Sequence, residues 1–308
     1  MLQHIPVLLS AVIEALQPAD PTVARLIDGT VGGGGHSLAM LEAGIDEILA
    51  LDRDELAIAQ ARQTLATFAG AVSFHHGSTI EMRAAATALG WEAVDAILLD
   101  LGLSSLQLDD PGRGFSFRHD APLDMRFDAS ADIKTAEVLV NELDAGELAD
   151  LLFRYGEERH ARRIARAIVT GRPVSSTREL AELVSGAIPA PARRQAKKHP
   201  ATKTFQALRI AVNQELEALE QVIPIAVDLL RPGGRLAVIS FHSLEDRIVK
   251  RAFKQLSTPI VSPPGMASIQ AKRARVKLIT RKAIAPDDAE LSVNPRSRSA
   301  KLRVVEKL

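Results

Sequence analysis

The sequence predicts an α/β protein: one mostly parallel sheet with an all-helical domain inserted partway along the chain. Three observations predict it. Near-continuous apolar runs of strand length alternate with helical segments over the first hundred residues, the pattern of a parallel sheet covered on both faces. That rhythm then stops, and a region of roughly 100 residues shows only helical periodicity, a size within the usual domain range. Finally, a strand signal returns near the C-terminal end, so the sheet is completed after the insertion.

The elements follow in order. "MLQHIPVLLSAVIEAL" carries Ile5, Leu9, Val12, Ile13 and Leu16 spaced as on one helix face. It lacks a basic leader and a small-residue cleavage site, so it does not read as a signal peptide. "ARLIDGTV" (24–31) is the first strand and runs into four glycines and a helix through about Glu42. "EILALDRD" (47–54), "AVSFHHGS" (71–78) and "VDAILLDLG" (94–102) are the next strands, separated by the helical "ELAIAQARQTLATF" and "EMRAAATALG". Residues 103–130, rich in Asp, Gly, Pro and Ser, read mostly as loop. From about 134 to 222 the pattern is helical. "GEERHARRIARAIVTG" sets Ile164 and Ile168 one turn apart among arginines, and Phe205, Leu208, Val212, Leu216 and Leu219 form one stripe. "GGRLAVISF" (233–241) restores the sheet, a helix starts at about Leu244, and "VKLITRKAI" (276–284) with "KLRVVEKL" (301–308) suits a terminal hairpin. Residues 257–270 read as a mobile loop. The expected domains are 1–104 with 223–308, and an insertion over 105–222.

Composition narrows the function classes. The chain has 308 residues, 46% hydrophobic and 25% charged. No apolar run reaches the roughly 18 residues of a membrane span. With no cysteine there is no disulfide, no thiolate metal site and no cysteine nucleophile, which fits a cytoplasmic protein. The net charge is zero but uneven. Residues 1–110 hold 4 Lys/Arg against 15 Asp/Glu, and residues 247–308 hold 15 against 4. A basic end of +11 is the footprint of a polyanion partner, set against the plainer alternative of a solvated surface.

"DGTVGGGGHS" (28–37) places strand, glycines and helix in succession, a nucleotide-pocket geometry in which backbone and helix amides approach a ligand. The dinucleotide fingerprint G-x-G-x-x-G fails, because its third glycine falls on Ser37 or Leu38. A P-loop fails for want of Gly-Lys-Ser/Thr. An acidic residue closing the second strand, Asp52, suits ribose hydroxyls in either a nicotinamide or an S-adenosylmethionine pocket, and the glycines favour the second. Asp100 closes the fourth strand, where ligands gather in open α/β sheets. It suits an adenine amine, a substrate amine or a plain loop anchor. In "SFHSLEDR" (240–247), Ser240, His242, Ser243, Glu245 and Asp246 lie near the same crevice, with Ser243 and Asp246 expected to form a capping box.

The blocks "HIPVLL", "DGTVGGGGHS", "LDRD", "LLDLGLSSLQLDDPGRGFSF", "PLDMR", "YGEERHARRIARAI", "HPATKTFQALRIAVNQEL", "RPGGRLAVISFHSLEDRIVK" and "NPRSRSAKLRVVEKL" occur in that order. Together they resemble the bacterial 16S rRNA cytosine-N4 methyltransferase (MraW) family from residue 4 almost to the C-terminus. The resemblance implies a class I S-adenosylmethionine-dependent methyltransferase of Rossmann-like fold carrying the helical insertion. It implies methylation of the N4 amine of one decoding-centre cytidine in 16S rRNA, on a partly or fully assembled small ribosomal subunit. It implies cofactor contacts at Gly34, Gly35, His36, Asp52, Asp100 and Gln107, and at Thr79, where the family commonly has Phe.

Methyl transfer is an in-line displacement governed by positioning and electrostatics. Asp100 is the candidate catalytic residue, as acceptor of the amine proton. C5-methylation of cytosine ordinarily needs a cysteine adduct, which this composition excludes. For RNA phosphates the candidates are Arg193, Arg194, Lys197, Lys198, His199 and Lys203 before the long helix, and Arg296 and Arg298 before the last strand. Two rivals share some of these features: a nicotinamide oxidoreductase, and a non-catalytic RNA-binding or assembly factor. The failed fingerprint disfavours the first, and the intact Asp28, Asp52 and Asp100 the second.

Overall fold

A computed structural model describes residues 5–17, 24–196, 198–259 and 273–308. Lys197 and most of the expected 257–270 loop lie outside the described residues. Seven strands form one sheet: β1 Arg25–Asp28, β2 Glu47–Asp52, β3 Val72–His76, β4 Val94–Asp100, β5 Leu230–Ser240, β6 Val276–Leu278 and β7 Lys301–Lys307. The first four helices are α1 Leu9–Leu16, α2 Gly35–Glu42, α3 Glu55–Thr64 and α4 Met82–Ala88. Then come α5 Ser105–Asp109, α6 Ala136–Glu142, α7 Ala145–Gly156, α8 Ala161–Thr170, α9 Thr177–Ala187, α10 Ala190–Gln195 and α11 Thr202–Asn213. The last are α12 Glu215–Leu229, α13 Ser243–Ser257 and α14 Asp288–Val293.

The chain separates into two compact units, Met1–Gly102 with Leu216–Leu308, and Leu103–Glu215. In the first, the strand order is β3-β2-β1-β4-β5-β7-β6. Strands β1 to β5 pair in parallel, with Ile27 level with Leu49 on one side and Ile97 on the other. The antiparallel β7 joins β5, and β6 pairs with β7 as the terminal hairpin. Alternating strand residues feed opposite faces, as the two-residue period of a strand requires. Leu26, Ile48, Ala96 and Leu98 pack with Val12, Met40 and Ile58 of α1, α2 and α3. Ile27, Leu49, Ile97 and Leu99 pack with Met82 of α4, Ile223 of α12, and Val249 and Phe253 of α13. Among the described residues no helix is long and apolar enough to cross a membrane.

The second unit is helical. Its core joins Leu148 and Leu152 of α7, Ile164 and Ile168 of α8, Leu180 and Val184 of α9, and Phe205 and Leu208 of α11. The loop before α6 is braced from α11: Asn213 Oδ1 accepts from Phe127 N at 2.7 Å, and Nδ2 donates to Met125 O at 2.7 Å. That brace holds Met125 at φ 61.

Three expectations need correction. The stripe from Phe205 to Leu219 does not lie on one helix: Gln214 adopts φ 50 and separates α11 from α12. Phe205, Leu208 and Val212 therefore enter the insertion's core, while Leu219 enters the sheet's core. The first strand ends at Asp28 rather than at Val31, while residues 103–130 are mostly loop as expected, with α5 and a 3₁₀ turn at Pro111–Arg113 inside them. Ile5 precedes α1 and is exposed.

Candidate active site

The strand order reverses beside β1, whose chain-order successors lie on one side and β4 on the other. Ligands of open α/β sheets bind outside the carboxyl ends of the strands at such a switch point. All five parallel strands end on polar groups: Asp28 on β1, Asp52 on β2, His76 on β3, Asp100 on β4 and Ser240 on β5.

Asp28 is buried and organises the loop. Its Oδ2 accepts from Ser37 Oγ at 2.7 Å and its Oδ1 from Thr30 N at 3.2 Å. Burial outweighs these bonds and pushes its carboxyl up to about 6. Asp52 is half-buried; Oδ2 accepts from Gly32 N and Oδ1 from Asp54 N, each at 2.9 Å, and burial again raises it to about 6. One carboxylate thus ties the β2 end to the glycine loop.

The four glycines play different parts. Gly32 and Gly34 have φ 50 and 85, where a side chain is strained. A Cβ on Gly35 would lie 2.6 Å from Pro6 Cγ, whereas one on Gly33 would meet only Gln60 Cγ at 3.9 Å. Gly33 has no such protein-internal reason to be glycine. Clearance for a ligand is a reason that remains.

At the head of α2, His36 is buried; Nε2 bonds Val7 O at 2.9 Å and Nδ1 lies 3.6 Å from Asp100 Oδ2. Asp100 N donates to Thr30 Oγ1. Asp100 Oδ1 is buried and has no hydrogen-bond partner among the described residues. Burial first, then the charges of Asp28 and Glu245, raises the Asp100 carboxyl well above its usual range.

Glu245 is a buried carboxylate on the first turn of α13. The expected Ser243/Asp246 box is replaced by one residue earlier. His242 is the N-cap, Glu245 N donates to His242 Nδ1 at 3.4 Å, and Glu245 Oε2 accepts from His242 N at 3.2 Å. Asp246 turns to β7 and pairs with Lys301 Nζ at 3.1 Å and Arg303 Nε at 2.7 Å. Histidine is not a usual N-cap, so the pattern in "FHSLED" pointed to Ser243 and Asp246 and did not single out Glu245 as the carboxylate whose charge acts on Asp100.

Thr79 opens the 3₁₀ turn after β3, half-buried, with its Cγ2 facing Gly29. In the second unit, Gln107 is buried and closes a capping box with Ser104, accepting from Ser104 N at 3.1 Å. Arg193, Arg194, Lys198 and His199 are exposed there, as is Lys203, whose Nζ donates to Glu157 O at 2.9 Å. Arg296 and Arg298 are exposed on the 3₁₀ turn before β7.

These groups fit an adenosyl ligand. Asp52 offers acceptors at the β2 end, Asp100 offers an unsatisfied one, and Gly33 leaves the loop open. The mostly parallel sheet with this crevice defines a class I, Rossmann-like methyltransferase fold.

The model of the MraW methylase family matches residues 1–308, and the chain belongs to that family of S-adenosylmethionine-dependent methyltransferases. It is 49% identical over 312 residues to the ribosomal RNA small subunit methyltransferase H of Heliobacterium mobile, covering 99% of each chain. It is also 49% identical over 311 residues to the protein of that name from Nitratidesulfovibrio vulgaris, covering 99% of this chain and 86% of the relative. Among solved structures, an rRNA methylase from Streptococcus thermophilus aligns over 97% of this chain and 93% of its own, with TM-score 0.42 and 12% identity.

Proposed function

We propose that the protein methylates the exocyclic N4 amine of a decoding-centre (P-site) cytidine in 16S rRNA, within a partly or fully assembled small ribosomal subunit in the cytoplasm. Family membership and the relatives' names support an rRNA substrate in the small subunit. The observation that carries the amine chemistry is Asp100, whose Oδ1 is buried without a hydrogen-bond partner at the crevice. Absence of cysteine agrees, since N4 attack needs no covalent adduct.

When bound, S-adenosylmethionine supplies an electrophilic methyl group for in-line displacement. Asp52 holds the ribose hydroxyls, and Gly34, Gly35, His36 and Thr79 complete the cofactor's surroundings in the same unit. Ionised Asp100 accepts a hydrogen bond from the cytosine amine, turns its lone pair outward and takes the surplus proton. A raised carboxyl makes Asp100 a stronger base, and it is active only above its own pKa. Single-turnover rate therefore rises with pH through that value. The exposed Arg193, Arg194, Lys198, Lys203, Arg296 and Arg298 contact phosphates, and the cytidine is unstacked to reach the site.

The test is Asp100→Asn, with cofactor titration and single-turnover methylation measured side by side. A proton acceptor loses roughly 100-fold or more in rate with cofactor affinity kept; a cofactor anchor loses affinity. If neither quantity moves, Asp100 has neither role.

A further inference from the structure

Four of the six exposed side chains of α13 are cationic, the other two being Ser243 and Gln255. Arg247, Lys250, Arg251 and Lys254 are exposed, while Leu244, Glu245, Val249 and Phe253 are buried. At 100° per residue the four cations fall within an arc of about 100°, opposite the buried face, and cover roughly 10 Å of helix length. Lys250, Arg251 and Lys254 have no ion-pair partner among the described residues. The carboxylates of this helix's first turn do not offset them, because Glu245 is buried in the capping box and Asp246 is taken by Lys301 and Arg303.

Stability does not account for this arrangement. Arg247 with Arg251, and Lys250 with Lys254, are like-charged i,i+4 pairs, which destabilise a helix. The helix dipole favours only the cation in the last turn, Lys254. The helix that carries the stripe begins, at its His242 cap, at the carboxyl end of β5, in the same unit as Asp100. The apolar face is locked in the sheet's core through Val249 and Phe253, so it is not free to enter a lipid surface.

We propose that the Arg247, Lys250, Arg251 and Lys254 face of α13 is a phosphate-tracking surface that guides the substrate's RNA strand to the crevice. The proposal rests on the rRNA reading above and adds a surface to it. The partner is a nucleic-acid backbone: the stripe is uniformly cationic and presents no aromatic ring for reading bases.

The test uses the full-length chain carrying Lys250→Gln, Arg251→Gln and Lys254→Gln together. Binding to a uridine dodecamer, and to small subunits from cells lacking the protein, is followed over a KCl series. Each phosphate contact contributes roughly 0.7 to the slope of log affinity against log salt on single strands, so three lost contacts make it shallower by about 2. KM for subunits rises and kcat stays, while S-adenosylmethionine affinity is unchanged by calorimetry. The charge-preserving set Lys250→Arg, Arg251→Lys and Lys254→Arg keeps the wild-type slope. If the triple glutamine variant fails to fold, Lys254→Gln alone reduces the slope by about 0.7.

A wild-type slope and affinity in the glutamine variants overturns the proposal. So does wild-type binding to phosphatidylglycerol vesicles as tight as to RNA. Failure of the wild type to methylate subunits refutes the functional reading instead, and the dodecamer slope still judges the stripe.

Discussion

Asp28→Asn isolates the energetic cost of the buried loop anchor. The carboxyl rises from its ordinary 3.8 to about 6, mainly through burial. One pKa unit is worth 1.36 kcal/mol, so ionised Asp28 costs the fold about 3 kcal/mol relative to its protonated form. The sign follows from proton binding: between pH 3.8 and about 6 the folded state holds the proton more firmly than the unfolded chain. This contribution is complete below pH 3.8, is lost as pH rises through about 6, and is flat above. Asparagine keeps a carbonyl to accept from Thr30 N and offers an amide to Ser37 Oγ, without the charge. The variant should match wild type near pH 4 and gain much of about 3 kcal/mol at pH 7. Trp91, the sole tryptophan, is buried in the sheet's core, so its fluorescence in urea reports this unit alone. Removing the Asp28 charge also relieves Asp100 and Asp52, so the difference profile carries their coupling to Asp28 as well as its burial. A difference that stays flat from pH 4 to 7 refutes burial as the cause of the raised carboxyl.

Further outcomes follow from the loop and the insertion. Gly33→Val should leave Trp91 unfolding within about 0.5 kcal/mol of wild type and abolish cofactor binding by calorimetry; retained binding refutes the clearance argument. Gly34→Ala, at φ 85 with Ala61 Cα 3.3 Å from the new Cβ, should cost about 1–2 kcal/mol or more in the same melt. Asn213→Ala leaves Phe127 N and Met125 O without partners in the insertion, at about 1–3 kcal/mol each. Tyr155, the sole tyrosine, lies in the second unit and follows that loss spectroscopically, while the Trp91 transition should stay in place.

The sheet was legible because its central strands are near-continuous apolar runs, three of them closed by a carboxylate. Asp52 and Asp100 could be assigned to strand ends from where the apolar runs stop, whereas Asp28 closes β1 three residues before the expected end at Val31. What was not legible depended on single backbone dihedrals or on register. Nothing in "VNQELEAL" announces that Gln214 takes a left-handed conformation; helical periodicity continues across it, so one stripe fed two different cores. The capping box was missed because histidine is not a usual N-cap; the His242 imidazole accepts from Glu245 N, one residue before the amide that Ser243 was expected to cap. The glycine quartet was readable as a pocket, but which glycine faces open space depended on Pro6 and Ala61, distant in sequence from it. The basic C-terminal end was visible as charge, while the α13 stripe required knowing which of its residues were exposed.

Nucleoside mass analysis of 16S rRNA from cells lacking the protein, and from the same cells re-expressing it, tests the N4 assignment. N4-methylation at the decoding-centre cytidine should disappear in the first and return in the second. Retention of that methyl group in the deleted cells would contradict it.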